Sequence, residues 1–236
     1  MNDYLEPLVN GSKQLNIELK DTEVRQFDTY LKQLQFFNKK FNLTAITEPS
    51  EIVTKHFLDS LSAFSTGHVT PGKSLLDIGA GAGFPGLALK IVLPGLNLTL
   101  VEANRKKSLF LDYMVGRLRL ANVSVINLRA EEFAASSGRS QFDLAITRAL
   151  SSLPVNLEYA VPALKIGGYY LAMKGSLAKE PSTENACKAL NCKYVQTQKI
   201  EVPYLEAGRN IAIFQKIAET DSKYPRRTGV PAKNPL

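Results

Sequence analysis

Apolar residues recur at spacings of three and four through "DTEVRQFDTYLKQLQFFNKKF", so Val24, Phe27, Leu31, Leu34, Phe37 and Phe41 share one side of a predicted helix over 21–41. Asp21 or Thr22 is expected to cap it, since a short side-chain oxygen there can accept from the free amides of the first turn. A second helix is predicted from Pro49, whose fixed φ suits a first turn, to Phe64; it would bury Ile52, Val53, His56, Phe57, Leu58 and Leu61. From residue 74 the period changes. Short apolar runs, "SLLDI", "NLTLVE", "VSVINL", "FDLAITRA" and "GGYYLAMKG", alternate with helical stretches such as "PGLALKIVL" and "NRKKSLFLDYMVGRLRL". Strands separated by helices require right-handed crossovers, which gives an α/β fold with a mostly parallel sheet covered on both faces. Near the end, "CKYVQTQKIEV" and "RNIAIFQKI" flank a short loop containing Pro and Gly, and are expected to add an antiparallel hairpin. The last stretch, "TDSKYPRRTGVPAKNPL", has no periodicity and reads either as a solvated tail or as a basic arm for an RNA backbone. The pattern divides the chain into a helical region (1–70), an α/β domain (71–218) and a basic, Pro-containing tail (219–236).

At 236 residues, with 44% hydrophobic and 22% charged residues, the composition is that of an ordinary globular protein of one domain with an appendage, or of two small domains. The formal net charge of +7 biases the long-range field toward polyanions. Apolar stretches such as "GLALKIVL" are broken well short of the ~18–20 residues a bilayer needs, so no membrane partner is expected. "MNDYLEPLVNGSK" has no basic head followed by an apolar run, and a cytoplasmic location is expected. Cys187 and Cys192 lack the Cys-x-x-Cys spacing and read as reduced, inert thiols. With His56 and His68 as its two histidines, the chain is expected to hold no metal.

Candidate chemistry centres on "DIGAGAGFPG", residues 77–86, which can be read in two registers. In the first, Gly79, Gly81 and Gly83 follow a strand ending at Asp77-Ile78, and glycine permits both positive φ and close backbone approach by a ligand. In the second, Gly81, Gly83 and Gly86 match the dinucleotide fingerprint Gly-x-Gly-x-x-Gly. That fingerprint should begin where the strand ends, whereas Gly81 comes three residues after Ile78; Pro85 also removes an N–H that would face a pyrophosphate. The first register is therefore preferred. Glu102, ending the next strand, is placed to accept hydrogen bonds from ribose hydroxyls in either register. A cofactor without phosphates, such as S-adenosyl-L-methionine, would put its amino-acid part at the glycine loop and its adenine near the backbone of Ala130 and Glu131 in "RAEEF". Glu131 and Glu132 also read simply as a solvated helix start favoured by the dipole. Arg148 ends an apolar strand at the carboxyl edge, where open α/β sheets build their sites; it would bind a cofactor carboxylate, a phosphate or a structural acid. Lys174 ends a later strand in the same manner.

Taken in order, "FNLTAI", "HFLDS", "DIGAGAGFPG", "RKKSLFL", "RAEEF", "TRAL" and "MKG" resemble the bacterial ribosomal RNA small-subunit methyltransferase G family over nearly the whole chain. The resemblance implies a Rossmann-like S-adenosylmethionine-dependent methyltransferase fold. The implied activity is methylation of guanine N7 at one guanosine of 16S rRNA, with naked rRNA, an assembly particle or the small ribosomal subunit as partner. Carried over residue by residue, the family's cofactor contacts fall on Gly79, Phe84, Ala130, Glu131 and Arg148, while Asn42, Thr44 and His56 lie in family motifs without an assigned role. Gly81 and Glu102 join the cofactor set from the loop reading; Glu102 departs from the Asp of some members but keeps the carboxylate. The ending "KYPRRTGVPAKNPL" resembles the basic tail of some members.

Guanine N7 has a free lone pair, so in-line methyl transfer needs no general base and no catalytic residue of that kind is expected. Holding the reactants in near-attack geometry would supply the rate. Arg105, Lys106, Lys107, Lys174, Arg226 and Arg227 are candidate RNA contacts. Phe84, Tyr204 or Tyr224 would stack on the base or serve packing. The protein is expected to be a monomer. Two other classes remain open: a nicotinamide-dependent oxidoreductase, from the second glycine register, and a non-catalytic RNA-binding module on the same fold, from charge and tail.

Overall fold

The computed structural model describes residues 4–178 and 180–236. The chain opens with α1 (Leu5–Gln14) and α2 (Asp21–Phe41). α1 carries too short and mixed a pattern, with Pro7 and Gly11 inside it, to be read from periodicity; it forms because Leu5 and Leu8 are buried and Gly11 lies against Leu58. α2 buries Phe27, Leu31 and Leu34 as predicted, but Phe41 stays exposed at its end. Its cap differs from the expected Asp21 or Thr22. Lys20 is the capping residue, and the carboxylate of Glu23 reaches back to accept the Lys20 N–H at 2.9 Å.

The helix predicted from Pro49 is one rod of mixed winding: α3 (Pro49–Ile52), a π-helical stretch over Val53–Leu58, α4 (Asp59–Leu61) and a 3-10 turn over Ser62–Thr66. Ile52, Val53, His56, Phe57, Leu58 and Leu61 are all buried along it.

Strands and helices then alternate: β1 (Ser74–Ile78), α5 (Gly86–Val92), β2 (Asn97–Val101), α6 (Arg105–Arg117), β3 (Val123–Ile126), α7 (Ala130–Ala135), β4 (Phe142–Arg148), α8 (Leu153–Ala160), β5 (Leu164–Lys174), α9 (Glu184–Leu190), β6 (Cys192–Ile200), β7 (Arg209–Lys216) and α10 (Val230–Lys233). The seven-stranded sheet has the order β3-β2-β1-β4-β5-β7-β6. β1 to β5 pair in parallel, and β7 runs antiparallel to both β5 and β6, which is the expected hairpin. The chain winds outward from β1 to β3, then crosses back to β4. This reversal beside β1 creates a switch point, and a crevice opens there beyond the carboxyl ends of the strands.

One sheet face is covered by α1, α2, the 49–66 rod, α5 and α6, the other by α7, α8 and α9. Residues 219–236 join the second layer instead of forming a solvated tail or free arm. Pro225 and Pro231 are buried, and Tyr224 and Leu236 pack against that core. Arg226, expected on RNA phosphates, is held by Glu158, whose side chain is 0% exposed: Nη2 donates to Oε2 at 2.6 Å and Nε to Oε1 at 2.9 Å. A carboxylate that deep requires a charged partner, and the tail supplies it. Among the described residues no helix is long and apolar enough to cross a membrane, and no group of three or more metal-ligating side chains occurs. Cys187 and Cys192 are free thiols.

Candidate active site at the switch point

The glycine loop turns back beneath β2. Gly79, Gly81 and Gly83 have φ of 71°, 58° and 98°, and the Gly79 N–H donates to the carbonyl of Val101 at 2.8 Å. Glu102, 9% exposed, ties the loop to α6: Oε2 accepts the Gly81 N–H at 2.9 Å and Oε1 accepts the Asn104 N–H at 2.7 Å. Asn104 in turn caps α6 through the Lys106 and Lys107 N–H groups. A cleft of about 330 Å³ lies here. Gly79 and Gly81 of the loop, Glu102 and Lys107 line it, together with Leu128, Ala130, Glu131 and Tyr159. Five of the expected cofactor residues thus meet in one crevice: Gly79, Gly81, Glu102, Ala130 and Glu131.

The second glycine register fails on geometry. The Gly86 N–H opens α5 and donates to Oδ2 of the fully buried Asp77 at 2.8 Å, so the helix end that would cradle a pyrophosphate already faces a carboxyl group. A Cβ on Gly86 would lie 2.7 Å from that oxygen and from Leu100, which makes this glycine a packing residue. Asp77 Oδ1 is buried without a hydrogen-bond partner among the described residues. Burial pushes the Asp77 carboxyl up to about 7, helped by Glu102 and opposed by the Gly86 N–H and by Arg148. A carboxyl raised in the folded state stabilises fully below 3.8 and loses that contribution as pH rises through about 7. Asp77→Asn is therefore expected to gain on the parent by on the order of 1.4 kcal/mol per pH unit across that window. Urea midpoints of both proteins from acid to neutral pH check the slope; parallel profiles would refute it.

A second cavity, of about 340 Å³, adjoins the first, and Ala149 lines both. Its polar centre is Asp59, which the sequence reading passed over within "HFLDS". Asp59 Oδ2 accepts from Arg148 Nη1 and Oδ1 from Arg209 Nε, each at 2.8 Å. Arg148 also donates to the Lys55 carbonyl at 2.9 Å and to His56 Nδ1 at 2.9 Å. Since a guanidinium only donates, Nδ1 must accept, and Nε2 carries the proton it shares with Thr44 Oγ1 at 2.8 Å. Burial, then the charge of Arg148, pulls His56 down to about 3, so the ring is neutral.

These contacts give places to the residues left without a role. Asn42, at φ 49°, ends α2 in the left-handed region, and Asn38 holds the returning loop by accepting the Thr44 N–H and donating to its carbonyl. Thr44 then accepts the Nε2 proton of His56, whose ring stacks on Phe84 at 4.5 Å. Phe84 is 5% exposed, with Tyr30 stacked at 5.1 Å and the Arg148 guanidinium over its ring. It does not line the glycine cleft, and Arg148 faces the second cavity; the structural acid foreseen among the partners of Arg148 is Asp59. Lys174 lines that cavity too, paired with Glu180 at 2.7 Å. Arg105, Lys106 and Arg227 are exposed, and Lys107 borders the cleft. Tyr204 is exposed and Tyr224 packs against the core.

A model of the rRNA small subunit methyltransferase G family matches residues 23–212. The chain belongs to this family. It is 39% identical over 232 residues to the ribosomal RNA small subunit methyltransferase G of Alkaliphilus oremlandii, covering 97% of each protein. To that of Desulfitobacterium hafniense it is 44% identical over 228 residues, covering 95% of this chain and 94% of the relative. Among solved structures, M. jannaschii TYW2 in complex with AdoMet has a TM-score of 0.52 at 13% identity, over 68% of this chain and 77% of that one; it shares the fold. As a member of the methyltransferase G family, the protein is an S-adenosylmethionine-dependent methyltransferase of ribosomal RNA.

Proposed function

We propose that the protein methylates N7 of one guanosine in 16S rRNA, with S-adenosylmethionine in the glycine cleft and the target base in the adjoining cavity, and that it works as a cytoplasmic monomer. The observation that carries this reading is the pair of cavities meeting at Ala149, just past the carboxyl end of β4. The residues suit the cofactor. Glu102 spends two of its acceptor sites on backbone and keeps capacity for a ribose diol. Leu128 and Tyr159 offer apolar surface to a flat base, and the helix end at Gly86 is closed to phosphate. When bound, S-adenosylmethionine supplies a methyl group on a sulfonium centre.

The chain's own task is positioning. Methyl transfer to N7 moves a positive charge onto the base, so the cavity must tolerate a cation. Each cationic side chain lining it has a carboxylate partner: Lys55 pairs with Glu51, Lys174 with Glu180, and Arg148 and Arg209 share Asp59. Ile46, Met173 and Ile211 complete an apolar wall suited to a purine. Arg105, Lys106 and Arg227, all exposed, are the groups proposed to meet RNA phosphates.

Ile46→Trp tests the assignment of the second cavity. It is expected to abolish rRNA methylation while S-adenosylmethionine affinity, read by calorimetry, stays within about threefold, a shift under ~0.7 kcal/mol. Undiminished methylation would remove the base from this cavity.

A further inference from the structure

Arg226, turned inward from the tail, has a partner within the protein itself. Glu158 on α8 receives four hydrogen bonds from Arg226: three from the guanidinium, whose Nε is shared between both oxygens, and one from the backbone N–H to Oε1 at 2.8 Å. Two residues further on, Thr228 Oγ1 donates to Glu132 Oε1 at 3.2 Å. Gly229 N–H donates to Glu131 Oε1 at 2.9 Å. The tail's own path is fixed by Arg139, which donates to the carbonyls of Tyr224 and Thr220.

Each of the three glutamates belongs to the wall of the glycine cleft or directly adjoins one of its residues in the chain. Glu131, 5% exposed, lines the cleft from the first turn of α7, and after burial its charge helps to raise the phenol of Tyr159. Tyr159 lines the cleft too and directly follows Glu158. α7 has only six residues, too few for a helix to hold itself together without tertiary contacts. Its first-turn glutamates are fixed by donors from a segment almost a hundred residues later in the chain.

We infer that Arg226 is a positioning residue for S-adenosylmethionine: by clamping Glu158 it seats residues 228–229 on α7 and so fixes Glu131 and Tyr159 in the cofactor-binding wall. The inference rests on the reading of the glycine cleft as the cofactor site. It separates two neighbouring arginines. Arg226 points inward and sets cofactor affinity, whereas the exposed Arg227 serves the RNA.

The test is calorimetry of the full-length protein with S-adenosylmethionine and S-adenosylhomocysteine, combined with steady-state kinetics on small-subunit rRNA. Arg226→Ala is expected to raise the Kd and the KM for S-adenosylmethionine roughly tenfold, a ~1.4 kcal/mol loss. It should leave kcat at saturating cofactor and the KM for RNA near those of the parent. Hydrogen exchange of the α7 amides should speed up in parallel. Arg226→Lys, which keeps a charge but not the two-pronged geometry, should fall between the two, and it carries the test if the alanine variant does not fold. Arg227→Ala should do the reverse, raising the KM for RNA alone. If the parent binds the cofactor and both Arg226 variants bind it equally well, the inference is overturned. If the parent itself does not bind, the cofactor assignment of the cleft fails instead.

Discussion

Asp59→Ala is expected to destabilise the protein by about 3 kcal/mol, the largest effect of any single change at the site. Asp59 is 3% exposed and is the shared counter-ion of Arg148 and Arg209, whose side chains are 16% and 22% exposed. Removing it leaves two guanidinium groups facing each other with little water to replace the carboxylate, and breaking a buried pair from one side costs more than the pair contributes when intact. The ion pairs also join three elements distant in sequence: the 49–66 rod through Asp59, β4 through Arg148 and β7 through Arg209. Asp59→Asn, which keeps an acceptor, should lose roughly half as much. Urea denaturation at neutral pH measures both. A loss below about 1 kcal/mol for the alanine variant would mean that solvent serves the two arginines adequately and that the cluster does not hold the second cavity together.

Gly79→Val should abolish measurable cofactor binding, a loss of at least ~100-fold, or about 2.7 kcal/mol. Gly79 has a φ of 71°, where a β-branched residue is strained by about 1–2 kcal/mol. A Cβ built there would lie 2.6 Å from Leu150 Cδ1, so the new side chain must displace Leu150, and both residues line the cleft. The two penalties fall on the loop rather than on the core, and the thermal midpoint should drop far less than the affinity. Glu102→Ala should weaken binding more moderately and also loosen the loop, because Gly81 and Asn104 lose their acceptor. Binding by Gly79→Val within threefold of the parent would contradict the placement of the cofactor.

The sheet was legible because its strands are short apolar runs bounded by turn residues, and because a parallel order follows from the alternation with helices. The register of the glycine loop was legible from its spacing and from Pro85; the contact that closes the other register was not. Asp77 reads as the end of a strand, and nothing in the sequence says that its carboxyl faces Gly86 N–H nine residues later. Arg148 could be singled out as a costly strand-end cation, yet its partner lies 89 residues earlier. The sign that points to Asp59 is its spacing of three from His56, which puts both on one side of the rod. Arg209 and α1 offer no such sign: their roles arise only when the chain is folded. The tail misled because a run of Pro, Arg and Lys without periodicity looks solvated. Glu158 inside the apolar-looking "LPVNLEYA" was the clue, since a carboxylate on a buried helix needs a cation from somewhere.

The most direct test of the central claim is to incubate the protein with small-subunit rRNA and methyl-labelled S-adenosylmethionine, digest to nucleosides, and map the label by mass spectrometry. One 7-methylguanosine at a single position of 16S rRNA is the predicted product, formed by the parent and not by Gly79→Val. Label on another atom or base, or no transfer by a protein that binds the cofactor, would contradict it.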